Sequence, residues 1–379
     1  MMSKLIEEQY NESIERMKNI MIEYDDSWFK KRDKSKYKVV RYRSRNIVTE
    51  FGNIKIKRRI YSYIDENGQK TQIIPLDIEF EFGKRNKIHP SLKGKILQEA
   101  GSGKRYRDIV DQFPKANLTK MTISRIFKDK KLLENMQRIN SKVELKDNQN
   151  LYINMDDTFP KAYDQEAKKI RVQKFRVISF NTGYKIQRFR SKKELANKRI
   201  FFIEDPDAVS GIQVAKEIQK WGNKFYSNFN NANIIIGGDG ATWIKGAADE
   251  LNGHYVLDNF HAQKYLLDTF DINKRNPKLN KQNYNLYNIC YTYFLNGKYE
   301  ELMTVLKEFA DEKTITYFRL NVMGVKAWAK KWNIGVSAES DMSLLVKSLL
   351  GYGAKRFNAD TLMNLVATRA YKINNFQTF

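Results

Sequence analysis

The feature that most constrains the fold is a short apolar run, Asn233-Ile234-Ile235-Ile236, that ends in Gly237-Gly238-Asp239-Gly240. β-Branched residues in such a run predict a buried strand, and the glycines indicate a tight turn that leads into a helix. Sheets of the α/β class place binding and catalytic groups at this end of their strands. Asp239 is therefore a candidate site residue, with helix capping as the alternative role.

Strand and helix patterns alternate on both sides of this run. A second apolar run, 151–155, ends in Asp156 and Asp157. The other segments continue the alternation, with strand patterns at 170–184 and 254–258 and helical patterns at 212–225 and 244–251. Strands that alternate with helices predict a mixed α/β sheet over residues 148–260, and the following segment, 260–332, is predicted to be helical.

A formal net charge of +24 indicates a polyanionic partner, because such an excess of cations attracts nucleic acid. AT-rich codon usage is an alternative source of lysine, but it would scatter the charge along the chain. The charge is instead clustered: residues 30–59 contain 13 Lys and Arg against 2 Asp and Glu, and residues 104–131 contain 9 against 3. This clustering favours DNA binding.

Two segments of the N-terminal third carry the clustered charge in different patterns. Residues 38–63 alternate apolar and basic side chains around a turn at 51–53, which predicts a small antiparallel sheet with one basic face. Residues 105–113 and 119–128 read as two short helices joined by a turn, and they resemble a helix-turn-helix whose second helix enters the major groove. Most pairs of amphipathic helices bind nothing, so the surrounding charge is what favours DNA here. The predicted DNA contacts are Lys55, Lys57, Arg58, Arg59, Arg105, Arg107, Lys120, Thr122, Ser124, Arg125 and Lys128.

Several other chemistries fit the residues poorly. The chain has 3 histidines, of which no pair has zinc-site spacing, and its 1 cysteine, Cys290, cannot form an intramolecular disulfide, which fits a reducing cytoplasm. The segment 101–105 lacks the first glycine and the metal-binding Ser or Thr of a phosphate loop.

No apolar run approaches the roughly 20 residues that cross a bilayer, and the acidic N-terminus predicts no export signal. We expect a cytoplasmic, nucleoid-associated protein with no membrane partner.

Carboxylates are the remaining candidates for catalytic chemistry. Asp156 and Asp239 follow predicted strands, and Glu339 lies at the predicted start of a helix. Three carboxylates from separate elements can hold a pair of Mg²⁺ ions about 3.5–4 Å apart, as phosphodiester cleavage requires. Single acids along a chain are usually solvated, so surface carboxylates are the alternative interpretation.

Two motifs follow each other closely in the α/β region, and they span 238–244 (Gly-Asp-Gly-Ala-Thr-Trp-Ile) and 256–264 (Val-Leu-Asp-Asn-Phe-His-Ala-Gln-Lys). In this order and spacing they resemble the double signature of ISLre-type bacterial insertion-sequence transposases, formerly an uncharacterised protein family. Further similarity lies in Leu151-Tyr152-Ile153 before Asp156, in Arg58-Arg59 and in Pro75-Leu76-Asp77. The resemblance therefore covers most of the chain.

The resemblance implies an α/β fold: an RNase H-like mixed sheet core with a helical insertion, preceded by a small basic β region and a helix-turn-helix. The implied boundaries are 1–90 for the N-terminal helix and basic β region, 91–147 for the helix-turn-helix region, 148–265 with 334–379 for the catalytic core, and 266–333 for the insertion.

The same resemblance implies a DDE triad of Asp156, Asp239 and Glu339 that binds Mg²⁺, with Mn²⁺ able to substitute. His261 would orient a scissile phosphate, with Asp258 either beside it in the site or capping a helix. Trp243 would either pack or stack on an unpaired base. Asp157 is the alternative to Asp156 as metal ligand.

We accordingly expect a DNA transposase that binds double-stranded DNA at terminal inverted repeats, cleaves the element ends and joins the freed 3′-hydroxyl to target DNA. Pairing two ends implies a homo-oligomer, at least a dimer on DNA. The alternatives are a non-catalytic DNA-binding derivative that acts as a repressor, and an RNase H-like nuclease without strand transfer. Relatives are expected to continue further beyond the Glu339 helix, and a shortened chain would bind DNA without completing transposition.

Overall fold

The computed structural model describes residues 2–83, 86–128, 136–185, 194–204, 209–272, 280–351 and 357–375. Its contacts divide the chain into two units, Met1–Lys130 and Lys131–Phe379. Each unit has a hydrophobic core of its own, and all the candidate carboxylates lie in the second unit. Within the described residues, no helix has the length and apolar character needed to cross a membrane.

The first unit is built on an antiparallel sheet in the order β1 (Lys38–Thr49), β2 (Gly52–Ile64), β3 (Lys70–Ile73). Helix α1 (Met2–Lys31) contacts β2 and contributes Met21 to the core beneath the sheet. The predicted alternation in β2 is confirmed, because Ile54 and Ile56 are buried whereas the intervening lysines are exposed. β3 was not predicted, since its Lys-Thr-Gln-Ile sequence carries almost no apolar signal.

Four further helices complete the described part of this unit: α2 (Pro75–Glu79), α3 (Pro90–Gly101), α4 (Tyr106–Gln112) and α5 (Lys120–Ile126). A 3₁₀ turn at Pro114–Ala116 and a left-handed Asn117 separate α4 from α5. Thr119 caps α5 by accepting a hydrogen bond from the backbone N–H of Thr122. The two predicted helices and their turn are thus present, while their use on DNA stays a prediction.

The second unit contains a five-stranded mixed sheet, which confirms the predicted α/β class. Its strands are β5 (Asn150–Thr158), β8 (Phe175–Asn181), β9 (Arg199–Glu204), β11 (Asn233–Gly238) and β12 (His254–Leu257). They lie in the order β12-β11-β5-β8-β9. The strands β5, β11 and β12 run parallel, and β8 and β9 run antiparallel to their neighbours. Small pairs flank this sheet, namely β4 (Val143–Glu144) with β10 (Tyr226–Ser227), and β6 (Lys161–Asp164) with β7 (Lys169–Val172).

Helices α6 (Gly211–Phe225) and α7 (Thr242–Glu250) share a core with one face of the sheet. Ser210 and Gln213 form a capping box at the start of α6, and Val214 and Ile218 lie on its buried stripe. This spacing of apolar residues is why the sequence predicted the helix correctly.

A helical region follows the last strand and has its own core, which is centred on residues such as Leu266, Phe294 and Phe318. Its helices are α8 (Asn259–Thr269), α9 (Lys281–Leu295), α10 (Tyr299–Phe309), α11 (Glu312–Leu320) and α12 (Val322–Lys326). The chain then returns to the sheet with α13 (Ala338–Met342), which contacts β5 and β8 and continues through a π-helical turn, Ser343–Lys347, into α14 (Ser348–Leu350). Helix α15 (Ala359–Asn375) contacts β9.

Candidate carboxylate site at the ends of the parallel strands

The register of the three parallel strands brings three aspartates to one edge of the sheet. Gly237 on β11 lies opposite Asn154 on β5, and Gly238 lies opposite Leu257 on β12. Asp239 and Asp258 directly follow their strands, and Asp156 lies two residues beyond Asn154. The sequence predicted this convergence for Asp156 and Asp239, and it left Asp258 either beside them or capping a helix. In the structure Asp258 does both, because its charge acts on Asp156 and its side chain caps α8.

The glycines around Asp239 are required by close packing. A Cβ atom on Gly237 would lie 2.6 Å from Val336, and one on Gly238 would lie 2.5 Å from Ile244. Gly240 has a φ of +99°, and its Cβ would lie 2.8 Å from Asn321. A side chain at Gly237 or Gly238 would therefore require Val336, Ile244 or the loop itself to shift, and one at Gly240 would also strain the backbone.

Asp156 is buried, with 5% of its surface exposed. Its Oδ1 atom accepts a hydrogen bond of 2.7 Å from the backbone N–H of Asp157, while its buried Oδ2 atom has no hydrogen-bond partner within the described residues. Burial and then the negative charge of Asp239 raise the pKa of Asp156 to about 7. The surroundings of this carboxylate therefore favour a bound proton or cation over the bare negative charge.

Asp239 does not cap α7, because the N-cap residue of that helix is Ala241 and no side chain among the described residues caps it. Its Oδ1 atom accepts a 2.9 Å hydrogen bond from the N–H of Ala241, just before α7. The hydroxyl of Tyr317 donates to its backbone carbonyl at 3.1 Å. One carboxylate oxygen of Asp239 thus stabilises the turn before α7, and the carboxylate lies close enough to Asp156 to raise the pKa of that residue.

Asp258 and His261 form a hydrogen-bonded pair next to the two aspartates. Asp258 is 2% exposed and caps α8, accepting from the N–H of Phe260 through Oδ1. Its Oδ2 atom lies 2.8 Å from Nδ1 of His261. This hydrogen bond raises the pKa of His261, as do the charges of Asp258, Asp156 and Asp239, whereas burial lowers it. The imidazole is therefore held in place and carries positive charge more readily than a free histidine.

Asp157 is engaged elsewhere. Arg176 donates to both of its carboxylate oxygens, at 2.9 Å from Nε and 3.1 Å from Nη2. The guanidinium of Arg176 also lies 3.6 Å from the ring centroid of Trp243. Of the two adjacent aspartates, Asp156 is thus the one whose charge is coupled to Asp239, and Trp243 packs against a cation rather than standing free.

Glu339 and Asp341 occupy different positions on α13. Glu339 is 35% exposed in its side chain and forms an ion pair of 2.7 Å with Lys347. Asp341 is 1% exposed; its Oδ2 atom accepts from the hydroxyls of Ser179 and Ser337, and its Oδ1 atom pairs with Lys198. In the described part of the chain, no group of three or more His, Cys, Asp or Glu side chains is placed to hold a metal ion.

The predicted DNA contacts fall into two classes. Arg58 and Arg59 are largely buried, and they pair at 2.6 Å with Asp77 and Asp25 respectively. Arg105 is exposed and pairs with Asp108 at 3.0 Å. The other predicted contacts are at least partly accessible: Lys55, Lys57, Arg107, Lys120, Arg125 and Lys128 are exposed, and Thr122 and Ser124 are half-buried.

Sequence reasoning missed the residues of the helical region that support the Asp239 loop. Tyr317 donates to Asp239, and the amide of Asn321 lies against Gly240. The hydroxyl of Tyr255 lies 3.3 Å from both the Gly238 carbonyl and the Asn321 side chain. Neither Tyr317 nor Asn321 belongs to a local motif, so only the tertiary structure connects them to the site.

Comparison with known proteins gives one finding about the whole chain. Residues 1–347 match the model of a family described as Uncharacterised protein family (UPF0236). No curated protein matches the chain.

Proposed function

The chain belongs to the uncharacterised protein family UPF0236, and we propose that it is the DNA transposase of an insertion sequence. The proposed reaction is Mg²⁺-dependent cleavage of DNA at the element ends, followed by attack of the freed 3′-hydroxyl on target DNA. The family description assigns no activity, so the proposal depends on the site and on the resemblance to ISLre-type transposases.

One observation carries the proposal: Asp156 has a buried Oδ2 atom with no hydrogen-bond partner among the described residues, and its pKa is raised beside a second carboxylate. Proteins rarely leave a buried polar atom without a partner unless a ligand supplies one. Asp239 contributes further negative charge, and Asp258 contributes a smaller share. A hard divalent cation would satisfy both the unpartnered oxygen and the excess charge.

Asp156 and Asp239 would hold this cation, which in phosphodiester chemistry activates the nucleophile and neutralises charge on the phosphate. Glu339 would join them by exchanging its ion pair with Lys347 for the metal, since α13 covers the face of the sheet on which Asp156 lies. His261, oriented by Asp258, would place a positive charge beside the scissile phosphate. These assignments use no covalent protein intermediate.

The fold and charge support the remaining parts of the proposal. The sheet topology supports an RNase H-like core. The antiparallel strands β5, β8 and β9 are extended by the parallel strands β11 and β12. Asp156 lies near the end of β5, and Asp239 directly follows β11. The helices α4 and α5 support a helix-turn-helix that contacts double-stranded DNA through Lys120, Arg125 and Lys128. The net charge of +24 supports a nucleic-acid partner in general. Synapsis of two ends would require at least a dimer.

The test is nicking of a labelled DNA duplex that carries the ends of the element, with Mg²⁺ or Mn²⁺ and with EDTA. We expect cleavage in the wild-type protein and a loss on the order of 10³-fold in Asp239→Ala, because a metal contributes several kcal/mol to such a transition state. Asp249→Asn is the matched control, since Asp249 is an exposed acid on α7, the helix that follows Asp239.

Equal cleavage by wild type and Asp239→Ala would refute the assignment of Asp239. DNA binding without cleavage in both proteins would favour the non-catalytic repressor. Cleavage without joining to a second duplex would favour the RNase H-like nuclease.

A further inference from the structure

A pocket of about 360 Å³ lies between α8 and α9. Helix α8 contributes positions that recur at intervals of three and four residues and therefore share one face, and α9 contributes two tyrosines one turn apart. The principal lining residues are Phe260, Gln263, Lys264, Leu267, Tyr284 and Tyr287.

The aromatic wall of this pocket is fixed in position. Tyr287 is 7% exposed, and its hydroxyl accepts a 2.8 Å hydrogen bond from the amide of Gln263. Its ring stacks between those of Tyr284 and Tyr291, with centroid distances of 6.2 and 5.8 Å. The hydroxyl of Tyr291 in turn accepts from Asn259 at 3.1 Å. Rings held in this way have little conformational entropy left to lose when a ligand binds.

The pocket adjoins the candidate carboxylate site through α8. Phe260, which lines the pocket, packs edge-to-face against His261 with 5.3 Å between ring centroids. His261 is the partner of Asp258 in that site. Phe260 is nonetheless 45% exposed, and Lys264 on the same face of α8 is exposed as well.

We propose that this pocket receives one unpaired nucleobase from the DNA strand that passes the carboxylate site. Aromatic rings stack on any base, because every base has a π-face, and a neighbouring lysine neutralises the phosphate that the base brings with it. The combination of three aromatic rings with an exposed lysine fits a planar group attached to an anion better than it fits an aliphatic ligand. This inference rests on the proposed function, because it takes the ligand to be DNA.

The experiment compares two fluorescein-labelled duplexes that share one strand containing a single 2-aminopurine. In the first duplex this base is paired, and in the second the complementary strand lacks its partner, so the base is looped out. We expect the wild-type protein to bind the looped-out duplex about tenfold more tightly, because stacking of one base on an aromatic ring raises affinity by about this factor. The preference should disappear in Phe260→Ala, return in Phe260→Tyr, and persist in Ile289→Ala, which removes an exposed apolar side chain of α9 outside the pocket lining. The 2-aminopurine emission should fall on binding only where the preference is present.

Equal affinity of the wild-type protein for the two duplexes would overturn the inference while leaving metal-dependent nicking intact. Retention of the preference in Phe260→Ala would overturn it too, because the looped-out base would then bind elsewhere. Failure of the wild-type protein to bind either duplex would contradict the proposed function together with the pocket.

Discussion

Asp156 and Asp341 are buried carboxylates on the same face of the central sheet, and their surroundings are opposite. Asp341 receives hydrogen bonds from two serines and pairs with Lys198. Within the described part of the chain, Asp156 receives one backbone hydrogen bond, its other oxygen has no partner, and it lies beside other acids. The shared face follows from Ser179, which contacts Asp341 and lies opposite Asn154, two residues before Asp156.

The difference separates a carboxylate that stabilises the fold from one that costs stability. Every donor around Asp341 is supplied by the protein, so its burial is compensated within the chain. His261 and the N–H of Asp157 compensate the burial of Asp156 in part, and a proton or an external cation would complete the compensation. Uncompensated groups of this kind persist where function requires them.

The largest expected effect is at Asp156, where one substitution should change the cleavage rate and the stability in opposite directions. Asp156→Asn should lower the cleavage rate on the order of 10³-fold, yet raise the free energy of unfolding at pH 8 in EDTA by about 1–2 kcal/mol, because it removes a buried charge next to Asp239. Urea denaturation and the nicking assay measure the two effects.

Asp157→Asn provides the contrast at the adjacent position. It breaks the bidentate pair with Arg176, whose side chain is only 5% exposed, so it should destabilise the fold while leaving most of the cleavage rate. If Asp157→Asn abolished cleavage and Asp156→Asn did not, the two aspartates would have to exchange roles.

The next effect is on stability at Asp341. Asp341→Asn should lower the free energy of unfolding by about 3 kcal/mol, since removing one member of a buried ion pair leaves its partner uncompensated. Urea denaturation measures the loss, and Asp360→Asn, an exposed acid of α15, is the control. A loss below about 1 kcal/mol, near the value of an exposed ion pair, would mean that the ion pair and hydrogen bonds of Asp341 do not hold α13 on the sheet.

The proximity of Asp156 and Asp239 could be predicted from the sequence because the signals are local, while their role in a site stays a prediction. Each follows an apolar run, and the glycines around Asp239 mark a turn whose packing admits no larger side chain. The parallel register then brings the two strand ends together, as α/β sheets do in general.

The partners of the charged residues were beyond sequence reasoning, because pairing depends on tertiary distance. Arg58 and Arg59 of β2 were counted among the predicted DNA contacts, but Asp77 of α2 and Asp25 of α1 pair with them. Likewise, nothing in the sequence around Glu339 indicates that Asp341, two residues later, is the buried acid.

Strand β6 and helix α15 were not predicted either, whereas β7 overlaps the predicted strand segments at 170–184. Strand β6 has only four residues, so its periodic signal is weak.

The smallest expected effect is the pH dependence that Asp156 gives to the metal-free protein. Its folded-state pKa of about 7 lies above the unfolded value of 3.8, so between these values the folded chain binds more protons and stability falls as pH rises. A shift of about three units corresponds to about 4 kcal/mol, and because Asp239 shares the interaction we expect about half, roughly 2 kcal/mol, to be lost between pH 4 and pH 7. Urea denaturation in EDTA across this range should show the loss in wild type and not in Asp156→Asn. Millimolar Mg²⁺ should restore stability at pH 8 and have little effect at pH 5, where the protonated carboxyl is a poor ligand. A Mg²⁺ effect of equal size at both pH values, or one that survives in Asp156→Asn, would place cation binding elsewhere and remove the distinction between Asp156 and Asp341.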